Sequence, residues 1–193
     1  MNNLALICFA RKNSTRFPGK NVYPLNGKPL IQYTIDTMKF IRDRLFCKVV
    51  IFTDFEKCFN IAVNNKILCI VNEEKCNYDD LRLHEWAADF FSSDNFILLQ
   101  PTNPIRDNDK ILEWTSFCLE NNVTSAFSAY RESPLSYKMN GNFYFYNKKQ
   151  LSKEKIYDEK SIIFQDKYFF DIDTKEDLLK TEEYLKNENK NNR

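Results

Sequence analysis

The chain has one histidine and three glycines among 193 residues, and both shortages exclude familiar chemistry. His84 has no partner at the spacing of zinc ligands, and a lone helical histidine is ordinarily a packing or surface group, so it is given no catalytic role. With glycine only at 19, 27 and 141, neither the GxGxxG dinucleotide fingerprint nor the GxxxxGK[ST] phosphate loop is present. None of the six cysteines, Cys8, Cys47, Cys58, Cys69, Cys76 and Cys118, forms a CxxC pair. Most lie in or beside apolar runs, the pattern of reduced, buried thiols in a cytosolic protein. The apolar run Leu4 to Phe9 is too short to span a membrane or to form a signal core, and a cytoplasmic chain with no membrane partner is expected. Charge is balanced as well, 28 Lys and Arg against 27 Asp and Glu. The two signs are interleaved rather than gathered into a basic field, so no nucleic-acid partner is expected.

What is present has the make-up of an ordinary globular protein: 43% apolar and 28% charged residues, without internal repeat or clear linker. That suits one domain spanning residues 1–193. Leu4 to Phe9, Lys48 to Phe52, Ile67 to Val71 and Phe96 to Leu99 read as buried strands. Ser125 to Tyr130 and Asn142 to Tyr146 read as further strands. Between them, Pro29 opens a helix with Leu30, Ile31, Thr34, Met38 and Ile41 at helical spacing. A helix through Ile61, then Leu81 to Phe91 and Asp107 to Leu119, follow in turn. Thr174-x-x-Asp177 is a capping signature for a last helix to Leu185; residues 186–193 are polar and expected to fray. Short strands alternating with helices predict an α/β fold with a mainly parallel sheet flanked by helices. Such sheets place ligands at the carboxyl ends of their strands.

Three polar segments fall just after predicted strands. In the first, Arg11, Arg16, Lys20 and Lys28 crowd a loop with Ser14, Thr15, Gly19 and Asn21 between them. Backbone N–H groups and several cations before a helix make a polyanion cradle; a solvated basic loop is the other reading of the same residues. In the second, Gln100-Pro101-Thr102-Asn103-Pro104 follows an apolar strand. Prolines fix the turn, and Gln100 offers both donor and acceptor to a base edge or ribose, although a rigid structural turn would look alike. In the third, Asp171 and Asp173 alternate, which in a strand sets both on one face. Two adjacent carboxylates repel unless a cation lies between them, and a hard, oxygen-liganded metal such as Mg²⁺ suits them. The competing reading makes Asp173 a helix cap and Asp171 a surface group. The aromatic clusters Tyr144 to Tyr146 and Tyr168 to Phe170 read as core rather than as stacking platforms.

The run Ala10-Arg11-Lys12-Asn13-Ser14-Thr15-Arg16-Phe17-Pro18-Gly19-Lys20-Asn21, continued by Leu25-x-Gly27-Lys28-Pro29-Leu30-Ile31, resembles the amino-terminal signature of the acylneuraminate cytidylyltransferases. These enzymes activate sialic, legionaminic, pseudaminic and ketodeoxyoctonic acids with CTP. Leu98 to Arg106 resembles the family's Leu-Leu-Gln-Pro-Thr-Ser-Pro-Leu-Arg run, and Asp171 to Leu178 its Ile-Asp-Thr-Pro-Glu-Asp-Leu block. The resemblance implies a Rossmann-like nucleotide-diphospho-sugar transferase fold and transfer of CMP from CTP to a small acidic sugar of the nonulosonate type. It implies phosphate contacts from Arg11, with Ser14 and Arg16 shaping the loop, Lys20 near the reacting phosphorus and Asn21 holding the nucleotide. Gln100 is placed near nucleotide or sugar, with Thr102, Asn103 and Arg106 ordering the pocket wall, and Asp171 and Asp173 on Mg²⁺. Thr53-Asp54 matches a Ser/Thr-Asp pair that reaches the nucleotide. The biological setting it suggests is bacterial surface polysaccharide synthesis.

The likeness breaks in two places. Lys12-Asn13 stand where the family often carries two glycines, which keeps the charge of the loop and changes its backbone. Ser133-Pro134-Leu135-Ser136-Tyr137-Lys138-Met139 and Asn140-Gly141-Asn142-Phe143-Tyr144 resemble two family segments that an excursion of some tens of residues usually separates. Here the excursion is almost absent. The nucleotide half is thus kept and the sugar half reduced, and a homodimer formed by the family's usual route is in doubt. The alternatives are a different acceptor, such as a phosphonate or another sugar acid, a different base, or a non-catalytic nucleotide-binding relative.

Overall fold

The computed structural model describes residues 3–134 and 136–191; Leu135 of the quoted motif and Asn192 and Arg193 of the tail lie outside them. Strands β1 (Leu4–Ala10), β4 (Lys48–Thr53), β5 (Leu68–Val71), β6 (Asn95–Leu98), β7 (Ser125–Ser133), β8 (Ser136–Asn147) and β9 (Ile162–Gln165) form one sheet in the order β5-β4-β1-β6-β8-β7-β9. The two-residue strands β2 (Pro24–Leu25) and β3 (Lys28–Pro29) pair separately. β5, β4, β1 and β6 run parallel to one another, and β9 runs parallel to β7. β8 is antiparallel to both β6 and β7. The α/β fold is as the sequence predicts, with a mixed sheet.

Alternation explains the two faces. Leu4, Leu6 and Cys8 of β1 point into the larger core with Ile31, Ile35, Met38 and Ile41 of α1 (Leu30–Leu45) and Trp114 of α4 (Asn108–Glu120). Ala5 and Ile7 point the other way, against Ala87 and Ala88 of α3 (Asp80–Phe90) and Leu151 of α5 (Lys148–Leu151). The central strands are therefore covered by helices on both faces, which is why their sequences are continuously apolar. α2 (Glu56–Asn64) buries Cys58 and Ala62 beside β4 and β5. All six thiols are free, five of them buried. None of the helices among the described residues is long and apolar enough to cross a membrane.

Four expectations change. β9, with exposed residues alternating along a short edge, carries no strong strand signal and was not foreseen. Residues 166–174 are irregular, so Asp171 and Asp173 stand on a coil rather than a strand; backbone bonds from Asp166 N to Ala129 O at 2.8 Å and from Ile172 N to Thr102 O at 2.9 Å hold that coil. Tyr168 to Phe170 do not fill the core: Phe169 is exposed and stacks on Tyr130, and Phe170 meets Tyr184. The last helix also runs past its predicted end at Leu185, α6 continuing over Lys175–Asn191. Its start is the predicted capping box. Asp177 Oδ2 accepts from the Thr174 N–H and hydroxyl, and Thr174 Oγ1 accepts from the Asp177 N–H.

Candidate active site

Beyond the carboxyl ends of β1 and β6 opens a cleft of about 760 Å³. A third apolar cluster lies behind two of its walls. Phe17 of the first polar loop packs with Leu25, Leu30, Leu178 and Ile172, the residue between the two aspartates. Full burial of a side chain such as Phe17 or Ile172 stabilises by about 1.5–3 kcal/mol, so the loop and the aspartate-bearing coil are held together by apolar packing. Their polar neighbours then meet above it. Lys20 Nζ donates to Ile172 O at 3.0 Å and to Asp173 Oδ1 at 2.8 Å, and Arg16 Nη2 pairs with Asp173 Oδ2. Lys20 is only 9% exposed, so its charge is dehydrated and depends on these partners.

The basic loop is shaped by ties to its own backbone. Gly19, at φ +71°, precedes the 3₁₀ turn Lys20–Val22, and its N–H reaches Lys12 O at 3.1 Å. This left-handed conformation suits glycine. Asn21 Nδ2 donates to Arg11 O at 2.8 Å, while its buried Oδ1 has no protein partner. Arg11 reaches across to α3, with Nη2 3.4 Å from Asp80 Oδ1. Asp54 is the sequence candidate that does not line the cleft. Its Oδ1 accepts the Lys12 N–H at 2.6 Å, bracing the loop from behind. Arg11, Ser14, Arg16, Lys20, Asn21, Gln100, Asp171 and Asp173 do share the cleft wall.

Asp171 is raised above the ordinary carboxylate value. Desolvation against the cleft wall is the main cause and the Asp173 charge adds to it, while a hydrogen bond from Thr102 and the charges of Lys20 and Arg16 oppose it. Two crowded hard oxygen donors in one wall fit a divalent cation whose other ligands come from phosphate and water. Among the described residues no group of three or more His, Cys, Asp or Glu could hold a metal by itself.

The far side of the cleft shows what the sequence reading missed. Tyr144 lines it rather than filling the core, as do Lys155, Ile156 and Tyr157 from the connection between α5 and β9. Alternation could have placed Tyr144, since it shares a face of β8 with Tyr146. Residues 154–157 have no motif or period to mark them. His84 also touches the cleft, but it is buried, with Nδ1 2.7 Å from the Tyr146 hydroxyl. Burial lowers its pKa to about 3, so it is a neutral packing group at ordinary pH.

The profile of a family described as Cytidylyltransferase matches residues 5–191. An N-acylneuraminate cytidylyltransferase of Streptococcus agalactiae serotype V is 27% identical over 209 residues, covering 88% of this chain and 50% of the relative. A 3-deoxy-manno-octulosonate cytidylyltransferase of Wigglesworthia glossinidia brevipalpis is 30% identical over 116 residues, 59% of this chain and 46% of the relative. The chain spans about half the length of the curated relatives it matches. In fold it is similar to a CMP:2-keto-3-deoxy-manno-octonic acid synthetase solved with CTP. The TM-score is 0.77 at 15% identity, covering 96% of this chain and 99% of that one.

Proposed function

The chain belongs to the cytidylyltransferase family, and from that premise we propose that it transfers CMP from CTP to an acidic sugar, releasing pyrophosphate. The observation that carries this reading is the convergence of three separate polar segments in one cleft, with Lys20 and Arg16 on Asp173 at its centre. An acceptor oxygen attacks the α-phosphorus, the bond to the β-phosphate oxygen breaks, and pyrophosphate leaves with the electron pair. Arg11, Arg16 and Lys20 offset charge growing on the phosphate oxygens, from positions fixed before the ligand arrives. The unpartnered Asn21 Oδ1 accepts from an N–H or O–H of the nucleoside, and Gln100 borders the same volume. Asp171 and Asp173 would hold Mg²⁺, which polarises the phosphate and aligns the reactants when bound. Lys155 offers a cation to the acceptor's carboxylate from the facing wall.

A second reading changes only the acceptor. β8 runs on from Met139 to Asn140 without a break, where the resemblance implies a long excursion that helps to enclose the sugar. The missing excursion favours a smaller acceptor or a phosphonate. Both readings are tested by pyrophosphate release with Mg²⁺, each of the four nucleoside triphosphates, and a panel of sugar acids and phosphonates. Release with CTP and one acid, lost in Asp173→Ala, is expected. Release with a phosphonate alone selects the second reading. Tight CTP binding with no release across the panel sinks both.

A further inference from the structure

Asp166 is a buried carboxylate that the transfer chemistry above leaves unused. It is 5% exposed, sits just past β9, and is anchored by its own N–H to Ala129 O of β7 at 2.8 Å. Among the described residues it forms no salt bridge, and its charge reaches the nearby Arg106 only through space. Instead Oδ2 accepts from Asn140 Nδ2 at 2.8 Å and Asn142 Nδ2 at 2.7 Å, and Oδ1 accepts the Tyr168 N–H at 3.2 Å.

These partners lead to two walls of the cleft. Asn140 and Asn142 flank Gly141, whose φ is +73° and whose absent Cβ would lie 2.5 Å from both Gln100 Oε1 and Asn103 Oδ1. Asn103 Nδ2 donates to Asn140 O at 2.6 Å, and its Oδ1 accepts from Thr102. The half-buried Arg106 joins the same knot, with Nε on Asn142 O at 3.1 Å and Nη2 on Gln100 O. The Gln100–Arg106 turn is thereby seated on residues 140–142. On the other side, the Asn140 amide also reaches Tyr168 O at 2.7 Å, and Tyr168 begins the coil that carries Asp171 and Asp173.

We propose that Asp166 is a positioning residue for the transfer: by holding Asn140, Asn142 and Tyr168 together, it sets the spacing between the Gln100 wall and the Asp171 wall. The inference rests on the transferase reading. The carboxylate is specific to the role, because all three of its partners are N–H donors and it accepts from each. An asparagine at 166 would turn an amide N–H₂ either toward the Tyr168 N–H or toward the two asparagine amides, and donor would face donor. One wall would then move, and a displacement of about 1 Å can cost on the order of 100-fold in rate. The loop that contacts phosphates does not touch the knot, so the contacts of Arg11, Arg16 and Lys20 are kept and the loss falls more on kcat than on CTP affinity.

The test compares wild type with Asp166→Asn for kcat in pyrophosphate release and for CTP dissociation by calorimetry. A kcat lower by tenfold or more, with CTP affinity within threefold of wild type, supports the inference. An unchanged kcat, or equal losses in kcat and CTP affinity, overturns it. Should Asp166→Asn fail to fold, Ser128→Ala decides. It removes the 2.6 Å bond that seats Asn140 Oδ1 without leaving a charge; a threefold or greater loss confined to kcat supports the proposal, and wild-type kcat overturns it. A wild type inactive on every acceptor removes the transferase reading and this inference with it. An active wild type matched by Asp166→Asn removes only the inference.

Discussion

On the Arg11–Asn21 side of the cleft the loop hangs from distant parts of the chain: Lys12 from Asp54, Lys20 from Ile172 and Asp173, and Phe17 from Leu178. On the Glu154–Tyr157 side the bonds are mostly local, Glu154 N to Leu151 O, Lys153 to Asp158, and Asp158 to Ser161. Ile156 packs on the second core cluster, and Tyr157 meets Phe127 at 5.6 Å between ring centres. The first side fixes charges, which is what a phosphate group needs, since preorganised charge need not be reordered as the reaction proceeds. The second is an exposed connection whose residues can change without disturbing the sheet. A family can keep one reaction and vary its acceptor by this division.

The contrast is open to attack where it is strongest. Lys20→Ala removes a cation whose position two chain segments define, and turnover should fall by about 100- to 1,000-fold, measured by pyrophosphate release at saturating CTP. A loss below tenfold would mean that the braced side is not where charge develops. The seam between the sides comes next. Gly141→Ala places a methyl group against Gln100 and Asn103 in a left-handed conformation, and should destabilise by about 2–3 kcal/mol in urea unfolding.

Beneath the seam, His84 is neutral and buried at a pKa of about 3, against about 6.5 for the free side chain. The unfolded chain therefore binds one more proton in that window, and stability falls as pH drops from about 6.5 toward about 3. The slope is about 1.4 kcal/mol per pH unit from this group alone. His84→Gln should remove one proton from the measured pH dependence of unfolding between pH 6 and 4. The smallest effect belongs to the locally tied side. Lys155→Ala should raise KM for the acid acceptor about three- to tenfold and leave KM for CTP unchanged, since an exposed charge contributes little. An equal rise in both would place Lys155 on the nucleotide instead and erase the contrast.

Much of this was legible in the residues. Apolar runs such as Leu4 to Phe9 read as strands covered on both faces, and Thr174-x-x-Asp177 announces the start of α6 through its capping chemistry. The helix expected from Asp107 is capped by that residue, which accepts the Lys110 N–H at 3.2 Å. The basic loop, the Gln100 turn and the two aspartates could be collected into one site because each follows an apolar segment. Other features depend on tertiary neighbours that leave no local mark. Asp54 reads as a ligand contact, and its bond to the Lys12 N–H leaves no trace in the local sequence. The 170–174 coil alternates like a strand, but its fixed point is one hydrogen bond and the buried Ile172. Asp166 has no motif, and its role arises only because three donors converge on it.

The pairing of Lys20 with Asp173 joins positions 153 residues apart. Contacts of that separation form late, because the intervening chain must first be ordered. On a ribosome β1, α1 and β4 are synthesised long before the aspartates. Through that interval Lys20 has neither the carboxylate nor the Ile172 carbonyl that accompany it in the finished fold. The charge centre of the cleft is therefore completed only when the segment bearing Asp173 emerges, and a chain cut short of it carries the cations without their partners.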